Sequence, residues 1–134
     1  MMGNDTISYQ TNNEILGVKI KVENNNIHYV LLKLGVPPHL KGYSYIVYAL
    51  KLVLIDPNLL QHITKGLYID VAKKYGTTPS RVERAIRHAI TTTFQYGNKE
   101  FINSIFQNCL RPDRPAPTNT MFLARLYYYL TLVN

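Results

Sequence analysis

Cysteine, acidic residues and long apolar runs are all scarce in this sequence, and it has no tryptophan. Cys109 is the single cysteine among 134 residues, which excludes an intramolecular disulfide and favours a reducing compartment. The longest apolar run, Tyr45 to Ile55, contains Lys51 and is far below the roughly 20 residues that span a bilayer. We therefore expect a cytoplasmic protein that does not enter a membrane.

Recognisable enzyme, metal and targeting motifs are also missing. We find no nucleophile elbow, P-loop or zinc motif, and no paired carboxylates. The N-terminus has no basic region followed by an apolar one, as a signal peptide would. The four histidines are scattered without ligand spacing: His28, His39, His62 and His88. We expect no catalytic residues, no metal site and no cofactor.

The shortage of acidic residues leaves the chain strongly basic. Eight Asp and Glu face 15 Lys and Arg, which gives a net charge of +7. Residues 1–32 hold two lysines and three acids, so residues 33–134 carry a net charge of +8. The basic excess therefore belongs to the part of the chain that we expect to fold, and it predicts a polyanionic partner.

Residues 1–26 carry the weakest pattern in the chain, because Asn, Thr and Gln dominate most of them. Val18, Ile20 and Val22 alternate with charged residues, which is typical of a short strand. A flexible N-terminal arm accounts for the same composition. Both interpretations stay open.

Apolar residues recur at helical spacing from residue 27 onward, and clusters of Gly and Pro separate the helical segments. This pattern predicts an all-α fold, a compact domain of five to seven helices over residues 27–134, with almost no strand. The predicted helices cover 27–34, 41–55, one turn near 58–60, 64–75, a long helix that starts near 79, 99–106 and a last helix capped by Thr118.

Two of these helices form a helix-turn-helix. The first begins with Thr64 as its predicted N-cap, and Gly76 ends it because glycine tolerates the left-handed conformation found at helix C-termini. Thr77-Thr78-Pro79 then starts the chain in a new direction. Two helices joined by a tight glycine turn are typical of DNA-binding proteins.

The start of the second helix has two interpretations. In one, Thr78 is the N-cap and Pro79 is the first helical residue. In the other, Ser80 is the N-cap and Glu83 closes a capping box. We favour Thr78, because proline pushes the preceding residue out of the α region, as an N-cap requires. This choice leaves Ser80 and Glu83 free to meet a ligand.

The second helix carries apolar and basic side chains on opposite faces. Its apolar stripe falls within about 80° of Val82 on a helical wheel and comprises Val82, Ala85, Ile86, Ala89, Ile90 and Thr93. The remaining face holds one acid, Glu83, and four basic residues, Arg81, Arg84, Arg87 and His88. A solvated charged face is the simplest explanation of such a run, but the preceding turn favours a recognition helix.

Several strings of the sequence resemble one known family. The most specific runs from Ser80 to Ile90, and the others include Leu34–Tyr43, Asp70–Tyr75, Gly97-Asn98 and Pro117–Asn119. Between about Ile27 and Leu132 the chain resembles the C-terminal effector domain of the sporulation initiation response regulator of endospore-forming bacteria. The resemblance implies a helical fold that binds double-stranded DNA, normally as tandem copies on boxes of the form TGTCGAA, to activate or repress promoters.

The resemblance also implies roles for individual residues. Arg81 and Arg84 would reach guanines, and Glu83 would accept a hydrogen bond from a cytosine amino group. The chemistry agrees, because arginine matches guanine O6 and N7 and glutamate accepts from cytosine N4. The candidates for phosphate contacts are Ser80, Arg87, His88, Thr78 and Lys74. For Glu83 a capping role is the alternative, and for Lys74 the alternative is the polar face of the first helix.

The sequence departs from the family pattern at several positions. Ile69 stands where the family has proline, Gly66 lies inside a predicted helix, and Tyr96 and Ala116 replace an arginine and a lysine. Two phosphate contacts are thus expected to be lost. About 26 residues precede the match, too few for the phosphoacceptor receiver domain of the family. We therefore expect DNA binding without control by receiver phosphorylation.

Two functions are consistent with these observations. The first is a DNA-binding transcription regulator, and the second is an interaction protein that antagonises or modulates the full-length sporulation regulator or RNA polymerase. The intact set of Arg81, Glu83 and Arg84 favours the first, because a decoy has no need of base readers. We expect a monomer that pairs on tandem DNA boxes through exposed parts of the last helices, including Phe106 and Tyr128.

Overall fold

The computed structural model describes residues 26–133. The segment predicted as a flexible arm or a short strand, residues 1–26, lies outside this range except for residue 26, which is helical. The boundary of the folded domain at residue 27 stays a prediction.

Six α-helices account for most of the described residues and confirm the predicted all-α fold. A 3₁₀ turn at Pro57–Gln61 and a π turn at Ile63–Leu67 connect the second helix to the third. Within residues 26–133 there is no β-strand, only an isolated bridge between Arg111 and Arg114. In chain order the helices are α1 (26–34), α2 (Lys41–Ile55), α3 (Tyr68–Tyr75), α4 (Pro79–Tyr96), α5 (Lys99–Phe106) and α6 (Asn119–Val133).

The centre of the core lies where the three long helices α2, α4 and α6 pack against one another. The apolar stripe predicted for α4 is buried there, apart from the half-buried Ala85. Each large apolar side chain removed from water in this way contributes about 1.5–3 kcal/mol. The apolar side chains of these helices that are wholly buried are Ile46, Ala49, Leu50, Val53, Val82, Ile86, Ala89, Phe122, Leu123, Leu126 and Leu130.

Phe106, which we expected to be an exposed contact between copies on DNA, is part of this core. Its side chain is 1% exposed, and its ring stacks on Phe122 with the ring centroids 5.4 Å apart. That prediction is wrong, because the apolar stripe of α5 turns Phe106 inward with Ile102. Tyr128 of α6 is 59% exposed and remains available to a partner.

Short polar side chains cap α4 and α6, as the sequence predicts. Thr78 adopts an extended conformation, its hydroxyl accepts a hydrogen bond from the Arg81 amide at 3.3 Å, and Pro79 is the first residue of α4. The alternative start at Ser80 is therefore wrong. Thr118 caps α6 in the same way, by accepting from the Met121 amide at 3.2 Å.

The start of the first helix of the motif differs from the prediction. Thr64 does not cap it, because the chain enters the π turn at Ile63 with a hydrogen bond from the Leu67 amide to the His62 carbonyl. Ile63 and Leu67 are both buried. Tertiary packing of these two apolar residues therefore decides the local geometry, and the residue type at Thr64 does not.

Gly76 makes the tight turn between α3 and α4. Its φ of 63° and ψ of 42° are left-handed, a conformation that glycine adopts at little cost. The amides of Gly76 and Thr77 both donate to the Ala72 carbonyl, which closes the C-terminus of α3. The predicted helix-turn-helix, α3–turn–α4, is thus present.

Gly42, in the first turn of α2, lies directly against the backbone of α4. A Cβ atom at this position would be 2.2 Å from the Ala85 carbonyl oxygen and 2.8 Å from the Ala89 Cβ. Glycine is therefore required by the close approach of the two helices. This contact fixes the beginning of α2 beside the middle of α4.

We predict that Gly42→Ala lowers the free energy of unfolding by about 1–3 kcal/mol, because backbone atoms of α4 would have to move. Urea denaturation followed by circular dichroism measures this. Gly66→Ala is the matched control, since its Cβ would meet only the His62 Cβ at 3.4 Å and the Leu59 Cδ2 at 3.6 Å. Equal losses in the two variants would contradict the role of the close approach.

Candidate nucleic-acid interface

The solvent face of α4 carries exposed basic side chains. Arg81, Arg84, Arg87 and His88 are exposed, as the wheel predicts. The side chains of Arg81, Arg84 and His88 make no ion pair or hydrogen bond with any part of the chain that the structure describes. Their donors are therefore available to an external acceptor.

Glu83 and Arg87 form an ion pair on the edge of this face. The Arg87 Nη1 donates to the Glu83 Oε2 at 2.5 Å, and the two side chains are 59% and 33% exposed, respectively. An exposed pair with this spacing contributes only about 0.3–0.5 kcal/mol. The spacing of four residues is a signal that the sequence analysis missed. The pair holds both side chains only weakly, so either can turn to a ligand.

The remaining candidates for phosphate contacts lie at the start of α4 and on α3. Thr78 uses its hydroxyl as the cap, and the Ser80 hydroxyl lies 3.4 Å from it. Lys74 belongs to α3, where its ammonium lies 5.6 Å from the centroid of the Tyr48 ring on α2. Ser80 and Thr78 therefore adjoin the arginine face, whereas Lys74 packs over an aromatic ring of another helix.

A groove runs along each side of α4. On one side, a groove of 390 Å³ lies between α4 and the start of α2, and its lining includes Lys41, Arg81 and Arg84. On the other side, a groove of 460 Å³ lies between α4 and the loop before α6, and its lining includes Arg87 and Arg114. The basic face of α4 is thus a ridge between two grooves.

Asn119, the first residue of α6, ties α4 to both of its neighbours. Its side chain is buried, and its amide group donates to the Tyr68 hydroxyl oxygen at 3.0 Å and to the Glu83 carbonyl at 3.1 Å. Burial raises the pKa of the Tyr68 phenol, so the phenol stays protonated at neutral pH. No local pattern in the sequence indicates this contact, because Asn119 and Tyr68 are 51 residues apart in the chain.

Metal sites and membrane spans are not found in the described part of the chain. Within residues 26–133 no three His, Cys, Asp or Glu side chains lie close enough together to hold a metal ion. None of the helices there has the length and hydropathy to cross a membrane.

Comparison with protein families identifies a match over most of the chain. A family model described as "Sporulation initiation factor Spo0A C terminal" matches residues 27–130. The match covers most of the chain and includes the helix-turn-helix, both grooves beside α4 and Asn119.

We predict that Asn119→Ala lowers the free energy of unfolding by about 1–3 kcal/mol, because the part-buried Glu83 carbonyl and the buried Tyr68 hydroxyl lose a donor. Tyr68→Phe removes one of the two hydrogen bonds and should cost less. Urea denaturation measures the free energy of unfolding of both variants and of Asn103→Ala, which is a control at an exposed position of α5. If Asn119→Ala behaves like this control, Asn119 does not hold α4 in place.

Proposed function

The chain belongs to the family of the sporulation initiation factor Spo0A C-terminal domain, and on that premise we propose that it regulates transcription by reading TGTCGAA-type boxes in the major groove. The family is one of DNA-binding effector domains. The observation that carries the finer proposal is that Arg81 and Arg84 on α4 have no side-chain ion pair or hydrogen bond within residues 26–133. Unpaired guanidinium groups on an exposed helix suit the acceptor-rich edge of guanine.

In this proposal Arg81 and Arg84 donate to guanine O6 and N7. Glu83 accepts from the N4 amino group of a cytosine. The three side chains lie within one turn of α4, so they reach consecutive base pairs. The weak ion pair supports this role of Glu83, because a hydrogen bond to a charged group is worth about 1.5–3 kcal/mol and outweighs the pair.

Phosphate contacts surround the base readers. Arg87 is released when Glu83 turns to a base, and a free guanidinium then binds phosphate. Ser80 and Thr78 supply hydroxyl groups at the start of α4, and His88 supplies a ring nitrogen on its exposed face. Lys74 remains a phosphate candidate on α3. These contacts set the register of the helix but carry no sequence information.

DNA binding by this chain requires no phosphoryl signal in our proposal. The support is that none of the described residues covers Arg81, Arg84 or His88. Pairing of two copies on tandem boxes also belongs to the proposal, with Tyr128 on α6 as the exposed contact. RNA polymerase and the full-length regulator remain proposed partners.

The test is a binding titration of unphosphorylated protein on a TGTCGAA duplex, a two-box duplex and a scrambled duplex. We predict that Arg84→Ala weakens binding to the box by about 1–3 kcal/mol and removes discrimination at one guanine. Arg111→Ala is the control, because it removes the same charge from an exposed loop residue. If the wild-type protein does not bind the TGTCGAA duplex but binds the full-length regulator, the antagonist function replaces this proposal.

Glu83→Gln tests the cytosine contact separately. We expect this variant to lose preference at a cytosine, because glutamine presents a donor as well as an acceptor, while binding to scrambled DNA is kept. Its free energy of unfolding should change by less than about 0.5 kcal/mol, since the lost ion pair is exposed. Glu100→Gln, on α5, controls for the change in net charge. A stability loss with unchanged base preference would show that Glu83 is structural.

A further inference from the structure

The two grooves beside α4 each contain one basic residue that α4 does not supply. Lys41 lines the groove on the side of Arg81 and Arg84, and Arg114 lines the groove on the side of Glu83 and Arg87. Both side chains are exposed, and neither has an ion-pair or hydrogen-bond partner within residues 26–133. The sequence analysis assigned no role to either residue.

Lys41 is held close to α4 by the residue that follows it. Gly42 lies so near the Ala85 carbonyl that no side chain would fit between them. Lys41 therefore starts α2 from a backbone position that is fixed relative to Arg81 and Arg84. Its flexible stem carries the ammonium group at the edge of the ridge.

Arg114 is held on the opposite side by a short turn and a cap. Its amide donates to the Arg111 carbonyl at 3.0 Å, and the chain then reaches Thr118, which caps α6. Asn119 next to it donates to the Glu83 carbonyl. The loop that carries Arg114 is thus anchored to the flank of α4 that faces away from Lys41.

We propose that Lys41 and Arg114 bind the phosphate backbones of the two DNA strands, one strand on each side of α4. A helix in the major groove has a sugar-phosphate backbone on either side, across a groove about 12 Å wide. A cation fixed on each flank of such a helix meets one strand each. This inference rests on the proposed function, since it takes α4 to be the helix that enters the groove.

The first measurement is the salt dependence of binding of the full chain to the TGTCGAA duplex. Lys41→Ala and Arg114→Ala should each reduce the slope of log K against log salt by about 0.9, which corresponds to about fivefold weaker binding at 0.15 M salt. The scrambled duplex should show the same change, because phosphate contacts do not read sequence. Lys41→Arg and Arg114→Lys should keep the wild-type slope.

Matched controls lie on the same elements. Lys51→Ala removes a charge from α2 about 15 Å along the helix from Lys41. Arg111→Ala removes a charge from the loop of Arg114, at a residue that does not line the groove beside Arg87. For both controls, the slope of log K against log salt should be closer to the wild-type slope than the slope of either test variant is.

Neutral methylphosphonate linkages then assign the strands. A linkage placed at the phosphate that Lys41 contacts should weaken DNA binding by the wild-type protein but should not further weaken binding by the Lys41→Ala variant. The phosphate that Arg114 contacts should be found in the same way on the other strand. If both variants match their controls while Arg84→Ala still loses base discrimination, this inference fails and the proposed function stands. The inference would also be overturned if the phosphates at which the Lys41→Ala and Arg114→Ala variants no longer respond to methylphosphonate lay on the same DNA strand. If wild-type protein binds neither duplex, both proposals fail.

Discussion

Neighbouring elements contact the backbone of α4 at the carbonyl groups of Glu83 and Ala85. Gly42 presses against the Ala85 carbonyl on one flank, and Asn119 donates to the Glu83 carbonyl on the other. Glu83 and Ala85 are two residues apart, which is about 3 Å of axial rise along the helix, so both contacts act on the same turn. Hydrophobic burial has no direction and would allow α4 to slide or roll. The close approach and the hydrogen bond supply the direction that the proposed base reading by α4 would require.

The basic side chains on the exposed face of α4 repel one another and so lower the stability of the fold. Like charges one turn apart on a helix cost a few tenths of a kcal/mol each, and salt screens them over about 8 Å. Burial of Val82, Ile86 and Ile90 contributes several kcal/mol on the other face of the same helix. The apolar stripe therefore dominates, and the unpaired arginines persist as a small cost within a stable fold. A face selected for stability alone would alternate acids with bases.

Local chemistry was predictable from the sequence, and contacts between distant residues were not. The Thr78 cap, the glycine turn at Gly76 and the buried stripe of α4 follow from residue type and spacing over a few residues, and all of them are present. The π turn at Ile63 and the inward orientation of Phe106 depend on neighbours that packing selects. Asn119 reaches a carbonyl 36 residues away, so its role is invisible in any local pattern.

If Glu83 reads a cytosine as proposed, the Glu83–Arg87 pair gives the exposed face two electrostatic states. While the pair is closed, the carboxylate is neutralised, and Arg81 and Arg84 attract phosphate without opposition from a nearby free acid. Opening it costs about 0.3–0.5 kcal/mol, which is less than a single good base contact returns. Opposite a wrong base the Glu83 carboxylate finds no hydrogen-bond donor and stays paired with Arg87. On a cytosine it exchanges partners and leaves Arg87 to a phosphate. In the proposed complex, the weak pair would thus favour the correct sequence twice, through the base contact and through the released arginine.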